Sequence, residues 1–383
     1  MSSFSGFWGR RELRPHPLNQ LDCRLEGEKR MKLQLIWITA ASLVSLGGVS
    51  QDELTKSVTA AREAADAPGI AAVVQERDQA VRIACAGVRI AGRDAVIEED
   101  DLWHLGSVSK SFTATLVGRL VEKKVVAWDD TVEQHLGELV PNLHDAHKET
   151  TFRHLLSHRS GLAANLPMKR FREFGQNPED PITDRLKWTR YILEREPSGK
   201  REEHFEYSND GFIVAGAMLE AKTGTSWEEL MQREVFAPLE LDSAGFGPPH
   251  GDKPDDQPRG HRGDNVPMPP DADNPAALGP AGRIHMSLTD LARYLRAHAD
   301  RPETFLKAET FDVLHTSPFD GDYAMGWFAK QHSCWHNGSN TMWYVEAEFD
   351  SKSGRVAAVA VNDGDMQTVR RPVGELLKSL LAD

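Results

Sequence analysis

Cysteine is scarce in this chain, with three in 383 residues, at positions 23, 85 and 334. That is too few for a disulfide-stapled scaffold. Cys85 and Cys334 sit in strand-like runs 249 residues apart, so no bridge between them is expected. Positive charge is short as well: 45 Lys/Arg face 58 Asp/Glu, a formal charge of −13. The first 50 residues carry 7 Lys/Arg and 4 Asp/Glu, which leaves −16 on the rest. A body that acidic is a poor partner for nucleic acid, whose phosphates need neutralising cations. No internal repeat is present. No His-Glu-x-x-His occurs, which removes the usual helical zinc signature. The chain also lacks a long unbroken apolar run. Its best stretch, residues 33–49, is interrupted by Gln34, Thr39 and Ser42 and is short for a stable membrane anchor. No Cys follows that stretch, which argues against a lipid-anchored start.

What remains is an ordinary globular composition, 40% hydrophobic and 27% charged. At 383 residues a large single unit or two intimate lobes are expected. "MKLQLIWITAASLVSLGGVSQ" has one Lys after Met31, the apolar run, and then small residues. This is the plan of a secretory signal over residues 31–50, with cleavage after Ser50. Residues 1–30 lack periodic apolar character, and Glu26-Gly27-Glu28-Lys29 requires purine-rich codons just upstream of Met31. They are expected to be a non-translated or disordered leader. An exported, periplasmic or secreted protein of residues 51–383 follows from these expectations.

Beyond residue 50 a helix runs to Pro68. "GIAAVVQE" and "AVRIACAGVRI" then read as a hairpin. A long helix is predicted from Ser107, with Phe112, Leu116, Leu120 and Val121 on one stripe. Apolar spacing stays mainly helical to about residue 245. Nine prolines over residues 246–282 forbid regular helix, and a loop that long is usually functional or mobile. Ser287 opens another helix. Strand-like runs follow at 324–330, 341–349 and 355–362, and a helix closes the chain. The expected fold is α/β (α+β), with a mainly antiparallel sheet built from both chain ends (51–106 and 283–383). Helices flank it, and a helical lobe, 107–282, is inserted.

Ser107-Val108-Ser109-Lys110 carries the first chemical signal. Residues three apart on a helix share a face, so the Ser107 hydroxyl and the Lys110 amine can meet. A lysine shielded from water can lose its proton and activate a serine. Ser-x-x-Lys arises by chance about once in a chain of this size, so it needs company. Tyr207-Ser208-Asn209 supplies it, in a chain with only 5 Tyr. Ser208 or Asn209 caps the helix running to Lys222 and in doing so fixes the Tyr207 hydroxyl.

These motifs lie within "LWHLGSVSKSFTATLVGRLVEKKVVAWDDTVEQHL", "TFRHLLSHRSGL", "EYSNDGFIVAGAMLEAKTGTSWEELMQREVFAPLEL", "LGPAGRIHMSLTDLARYL" and "WHNGSNTMWYVEAEFD". Together they resemble the serine hydrolases related to class C β-lactamases and D-Ala-D-Ala carboxypeptidases, over roughly residues 53–381. The resemblance implies that Ser107 is acylated, that Lys110 and Tyr207 handle its proton, and that a third triplet lies on a strand lining the cleft. Three triplets compete for that place. Lys222-Thr223-Gly224 has the expected letters but ends a helix, with Gly224 in a left-handed position before the capping box Ser226-x-x-Glu229. His261-Arg262-Gly263 falls in the proline-rich loop. His336-Asn337-Gly338 ends a strand-like segment, the context that the resemblance requires, so Lys222 is expected to be a decoy.

On that assignment the resemblance places an oxyanion hole on the backbone N–H groups of Ser107 and Ser339. Asn209, His336, Asn337 and Gly338 bind substrate. His336 is expected to be charged part of the time near neutral pH and Asn337 to offer its amide, which disfavours strong β-lactamase activity. An acyl-enzyme hydrolase acting on a D-alanyl peptide, small ester or lactam is the expected function. No cofactor or metal is implied, and the expected partner is a small-molecule or peptide substrate, with cell-wall-derived compounds among the candidates. Two rivals stand beside it. The cluster His144, His147, His154 and His158 offers a zinc-dependent hydrolase. A penicillin-binding-like receptor without catalysis keeps the fold alone, and its sign is a missing nucleophile or base.

Overall fold

The computed structural model describes residues 50–167, 180–253 and 255–382. The expected leader and nearly all of the expected signal lie outside them. Helix α1 (Gln51–Ala65) begins at a reciprocal capping box of Ser50 with Glu53. Strands β1 (Gly69–Gln75) and β2 (Arg82–Gly87) form the predicted hairpin. The far end of the chain supplies β8 (Phe328–Ala329), β9 (Ser333–Ser339), β10 (Tyr344–Asp350) and β11 (Val356–Val361). All pair antiparallel in the order β2-β1-β11-β10-β9-β8, so the sheet joins both ends of the chain.

Two-residue alternation sorts the side chains between the two faces of the sheet. Ile70, Ala72, Val74, Val359 and Val361 pack on α1 and on the closing helix α6 (Met366–Leu381). Ala71, Val73, Ala347, Phe349, Ala358 and Ala360 join the larger core with α5 (Leu288–Asp300) and the central helices. Every residue of β11 is buried, as befits a strand covered on both faces. The strand-like run at 324–330 yields only the two residues of β8, because Tyr323–Phe328 closes on itself as a bridged turn around Gly326 at φ +75°.

A second, three-stranded sheet leads into the Ser107 turn. Strand β3 (Leu102–His104) pairs with β7 (Ile284–Ser287), which also pairs with β4 (Gly245–Phe246). No periodicity marks β3 or β4, which are only three and two residues long. The helix predicted from Ser107 begins its α-helical course at Ser109: Gly106–Val108 form a 3₁₀ turn leading into α2 (Ser109–Glu122). Helix α2 is buried all round rather than along one stripe, with Val121 only half-buried. Helix α4 (Asn209–Thr223) packs beside it, and α3 (Pro181–Leu193) packs on α4. The proline-rich segment is irregular, with a two-residue ladder of β5 (His261–Arg262) and β6 (Val266–Pro267) and short helical turns over 276–282. Residues Val49–Asp383 make one compact unit. Among the described residues no helix is long and apolar enough to cross a membrane.

Candidate active site

From Trp103 to Gly118 every residue is buried except Ser107. The fold therefore lifts one hydroxyl out of an otherwise closed stretch. Two glycines make this possible. A Cβ on Gly106 would stand 2.4 Å from the Ser339 amide nitrogen, and one on Gly338 would stand 2.0 Å from the Leu105 carbonyl and 2.7 Å from the Ser107 nitrogen. The Gly106–Val108 turn and β9 are thus pressed backbone to backbone, an approach that no side chain permits. The same approach brings the Ser107 and Ser339 backbones close together, and both residues line a cavity of about 610 Å³. Paired amides of this kind suit a developing oxyanion.

Lys110 lies one turn along and is fully buried. Its Nζ is 2.9 Å from Ser107 Oγ, 2.6 Å from Asn209 Oδ1 and 2.8 Å from the Ala281 carbonyl. Burial holds its pKa well below the usual lysine value. A neutral amine has two N–H donors and one lone pair. The Asn209 and Ala281 oxygens can only accept, so they take both donors. When the amine is neutral, its lone pair is the group left to face Ser107 Oγ. Asn209 is oriented in turn by donating from Nδ2 to Asn165 Oδ1, at 2.6 Å.

Tyr207 reaches the same hydroxyl: its phenol shares a hydrogen bond with Ser107, while burial raises its pKa and keeps it protonated. Its placement follows from a local cap. Ser208 is the N-cap of α4, its Oγ accepting from Gly211 N at 3.1 Å, and its own N–H donates to His158 Nδ1 at 2.9 Å. The His158 ring lies 4.2 Å from the Tyr207 ring and fixes its other side.

The β-lactamase family profile matches residues 54–379. The chain belongs to the β-lactamase family. Penicillin-binding protein 4 of Amycolatopsis lactamdurans is 26% identical over 238 residues, 56% of this chain and 55% of that protein. The β-lactamase of Escherichia coli is 24% identical over 247 residues, 64% and 60% of the two chains. The chain thus spans less than two thirds of the length of these curated relatives. Among solved structures, a penicillin-binding protein homologue from Pyrococcus abyssi superposes with a TM-score of 0.71 at 23% identity, covering 86% of this chain and 76% of that one. A β-lactamase/D-alanine carboxypeptidase from Pseudomonas syringae gives 0.71 at 16% identity, covering 87% and 99%. At such identities these likenesses establish the fold.

This member of the family departs from two expectations at its third triplet. His336 is fully buried, and desolvation is the main cause that drives its pKa down to about 3. Its Nδ1 donates to the Asn337 carbonyl at 2.5 Å, so Nε2 accepts from the Tyr323 hydroxyl at 3.0 Å. His336 is therefore a neutral strut behind Tyr207 and Tyr323, not a partly charged group facing solvent. Asn337 alternates to the opposite face of β9, where its Nδ2 lies 3.3 Å from the Tyr344 hydroxyl. It offers no amide to the cleft. Gly338 contributes through its missing side chain.

Lys222 sits exposed in the last turn of α4, ahead of Gly224 at φ +66° and the Ser226–Glu229 capping box. The four clustered histidines are employed separately. His144 Nδ1 accepts from Ala146 N, His147 Nε2 contacts the Arg195 carbonyl, His154 Nε2 meets Glu202, and His158 Nδ1 accepts from Ser208 N. Among the described residues no group of three or more His, Cys, Asp or Glu could hold a metal ion. Cys85 and Cys334 are free thiols.

The sequence did not single out Asn165, Asp273 or Asn274, which line the same cavity. Asp273 is clamped by His104 Nε2 at 2.9 Å, Arg283 Nε at 3.1 Å and Asn340 Nδ2 at 3.0 Å, and its pKa falls to about 2. The length of the proline-rich loop signalled a functional segment, but no local pattern marks which of its residues turns inward.

Proposed function

We propose that this protein is a serine hydrolase that works through an acyl-enzyme on an ester or amide, with D-alanyl peptides, small esters and lactams as the candidate substrate classes. The observation that carries the reading is the fully buried Lys110 amine with its Nζ 2.9 Å from Ser107 Oγ, where burial favours its neutral form. Ser107 Oγ attacks the carbonyl carbon while its proton passes to Lys110. The Ser107 and Ser339 amides hold the oxyanion. As the carbon–heteroatom bond breaks, Tyr207 gives its proton to the leaving atom and recovers one from the Lys110 ammonium. Water then attacks the acyl ester with the proton transfers reversed, which restores Ser107.

Nucleophile and base are both in place, which favours this reading over a receptor without catalysis. Amide substrates gain support from structural neighbours such as the D-amino acid amidase of Ochrobactrum anthropi, with a TM-score of 0.68 at 19% identity over 85% of this chain and 98% of that one. The apolar stretch of residues 33–49 supports export. A fluorophosphonate or penicillin probe should add one label, mapped to the peptide containing "LGSVSK". Labelling that persists in Ser107→Ala would refute the assignment.

A further inference from the structure

The neutral His336 and the outward Asn337 leave the third triplet without a charge to offer. The cavity nonetheless carries one. Among the described residues its wall holds two charged side chains, Asp273 and Arg262. Asp273 is paired with the Arg283 guanidinium and held by the His104 ring. Arg262 makes no ion pair with a described carboxylate and is exposed at the cavity wall. The uncompensated charge of the cleft is therefore a guanidinium from the proline-rich loop.

That guanidinium is held in place rather than swinging free. Its Nε donates to the Thr341 carbonyl at 3.0 Å, and one terminal nitrogen donates to the Thr341 hydroxyl. Thr341 is in turn tied to the oxyanion wall, its N–H donating to Ser339 Oγ at 2.9 Å. Thr341 holds a left-handed backbone, φ +69°, unusual for a β-branched residue. Gly364 presses so close beneath it that a Cβ there would stand 2.1 Å from the Thr341 carbonyl carbon. The neighbouring His261 is fully buried and locked. It accepts from Ala91 N at Nε2 (3.0 Å), so its Nδ1 donates to the Asn362 carbonyl (2.7 Å), and its own N–H donates to the Met342 carbonyl (3.0 Å). The remaining N–H groups of Arg262 are free to grip a carboxylate in a fork.

We infer that Arg262, braced by Thr341, is a specificity-determining residue that recognises a free carboxylate on the substrate. The inference rests on the acyl-enzyme reading and deepens it: the preferred substrates are anionic. The carboxylate can sit on the leaving-group side of the scissile bond, as at a peptide C-terminus, or on the acyl side.

Two matched pairs distinguish these. One is a thioester with a thioglycolate leaving group, against its methyl ester; the other is mono-p-nitrophenyl glutarate against p-nitrophenyl butyrate. In wild type at low salt one pair should show a higher kcat/KM for its carboxylate member. That ratio should fall on the order of 10-fold in Arg262→Ala, be partly regained in Arg262→Lys, and shrink as salt is raised. The pair that responds assigns the side. If both ratios are the same in wild type and Arg262→Ala, the inference is overturned. A wild type that turns over only the neutral members overturns it equally. Fluorophosphonate labelling of Ser107 in the same preparations keeps this outcome distinct from failure of the hydrolase reading.

Discussion

Asn209→Asp is nearly isosteric and acts on the group that the mechanism depends on, so it offers a demanding test. In the native site Asn209 Oδ1 lies 2.6 Å from Lys110 Nζ and takes one of its two N–H donors. Replacing the amide by a carboxylate puts a negative charge at that distance. With an effective dielectric of about 20, the attraction to an ammonium is about 6 kcal/mol, equivalent to roughly four to five pH units. The sign is clear. Burial keeps the native Lys110 pKa low, so activity should rise with pH through that low value and then hold level. The carboxylate favours the protonated lysine, so the rising limb of kcat/KM should move to higher pH. Part of the Coulomb energy is offset by desolvating the carboxylate, and a displacement of about two units or more is expected. Asn165 can turn its amide to donate to the new oxygen, so the local hydrogen bond survives. The assay is the pH profile of kcat/KM on a neutral ester, which removes any effect of charge on substrate binding. A profile that keeps its position would refute the neutral-lysine argument.

Lys110→Ala and Tyr207→Phe should each lower turnover by about 10²-fold or more while leaving the circular dichroism spectrum unchanged, and an unaltered rate in either would remove that residue from the proton path. Lys222→Ala should leave kcat/KM essentially untouched, whereas His336→Lys forces an ammonium into a buried site beside Lys110 and should cost about 3 kcal/mol or more in urea unfolding. A His336→Lys protein as stable as wild type would mean that the ring is not buried as described. His336 binds a proton in the fold only below about 3, but in the unfolded chain already below about 6.5. Stability should therefore fall as pH drops through that window, and His336→Gln should flatten part of the slope in urea titrations taken at several pH values. Gly338→Ala should impair both folding yield and acylation of Ser107, because its methyl would meet the Leu105 carbonyl; wild-type labelling kinetics in this variant would contradict the close approach.

Much of this protein is legible one helical turn at a time. Ser107 and Lys110 meet because residues three apart on a helical turn share a face, a relation that needs no knowledge of the rest of the chain. The same locality made the caps readable at Ser208, Ser226 and Ser287, and it exposed Lys222-Thr223-Gly224 as a helix end. Short strand-like runs bounded by turns likewise announced β1, β2, β10 and β11, and their place at both chain ends pointed to one shared antiparallel sheet.

Tertiary structure decided everything that depends on which face of an element is covered. His336 and Asn337 are adjacent on β9, yet one ring is sealed beneath Tyr323 while the next side chain turns to Tyr344. The charge on His336 could not be read from its letter, because desolvation by residues distant in sequence sets its pKa. Asp273 and Arg262 came to the cleft from a loop with no period to interpret, through contacts with His104 and Thr341 that span 169 and 79 residues. Local rules fix the backbone's turns and the pairs within reach of one turn. Burial, protonation and the charge of the cleft are sums over the whole fold, and they exist only once the chain has closed on itself.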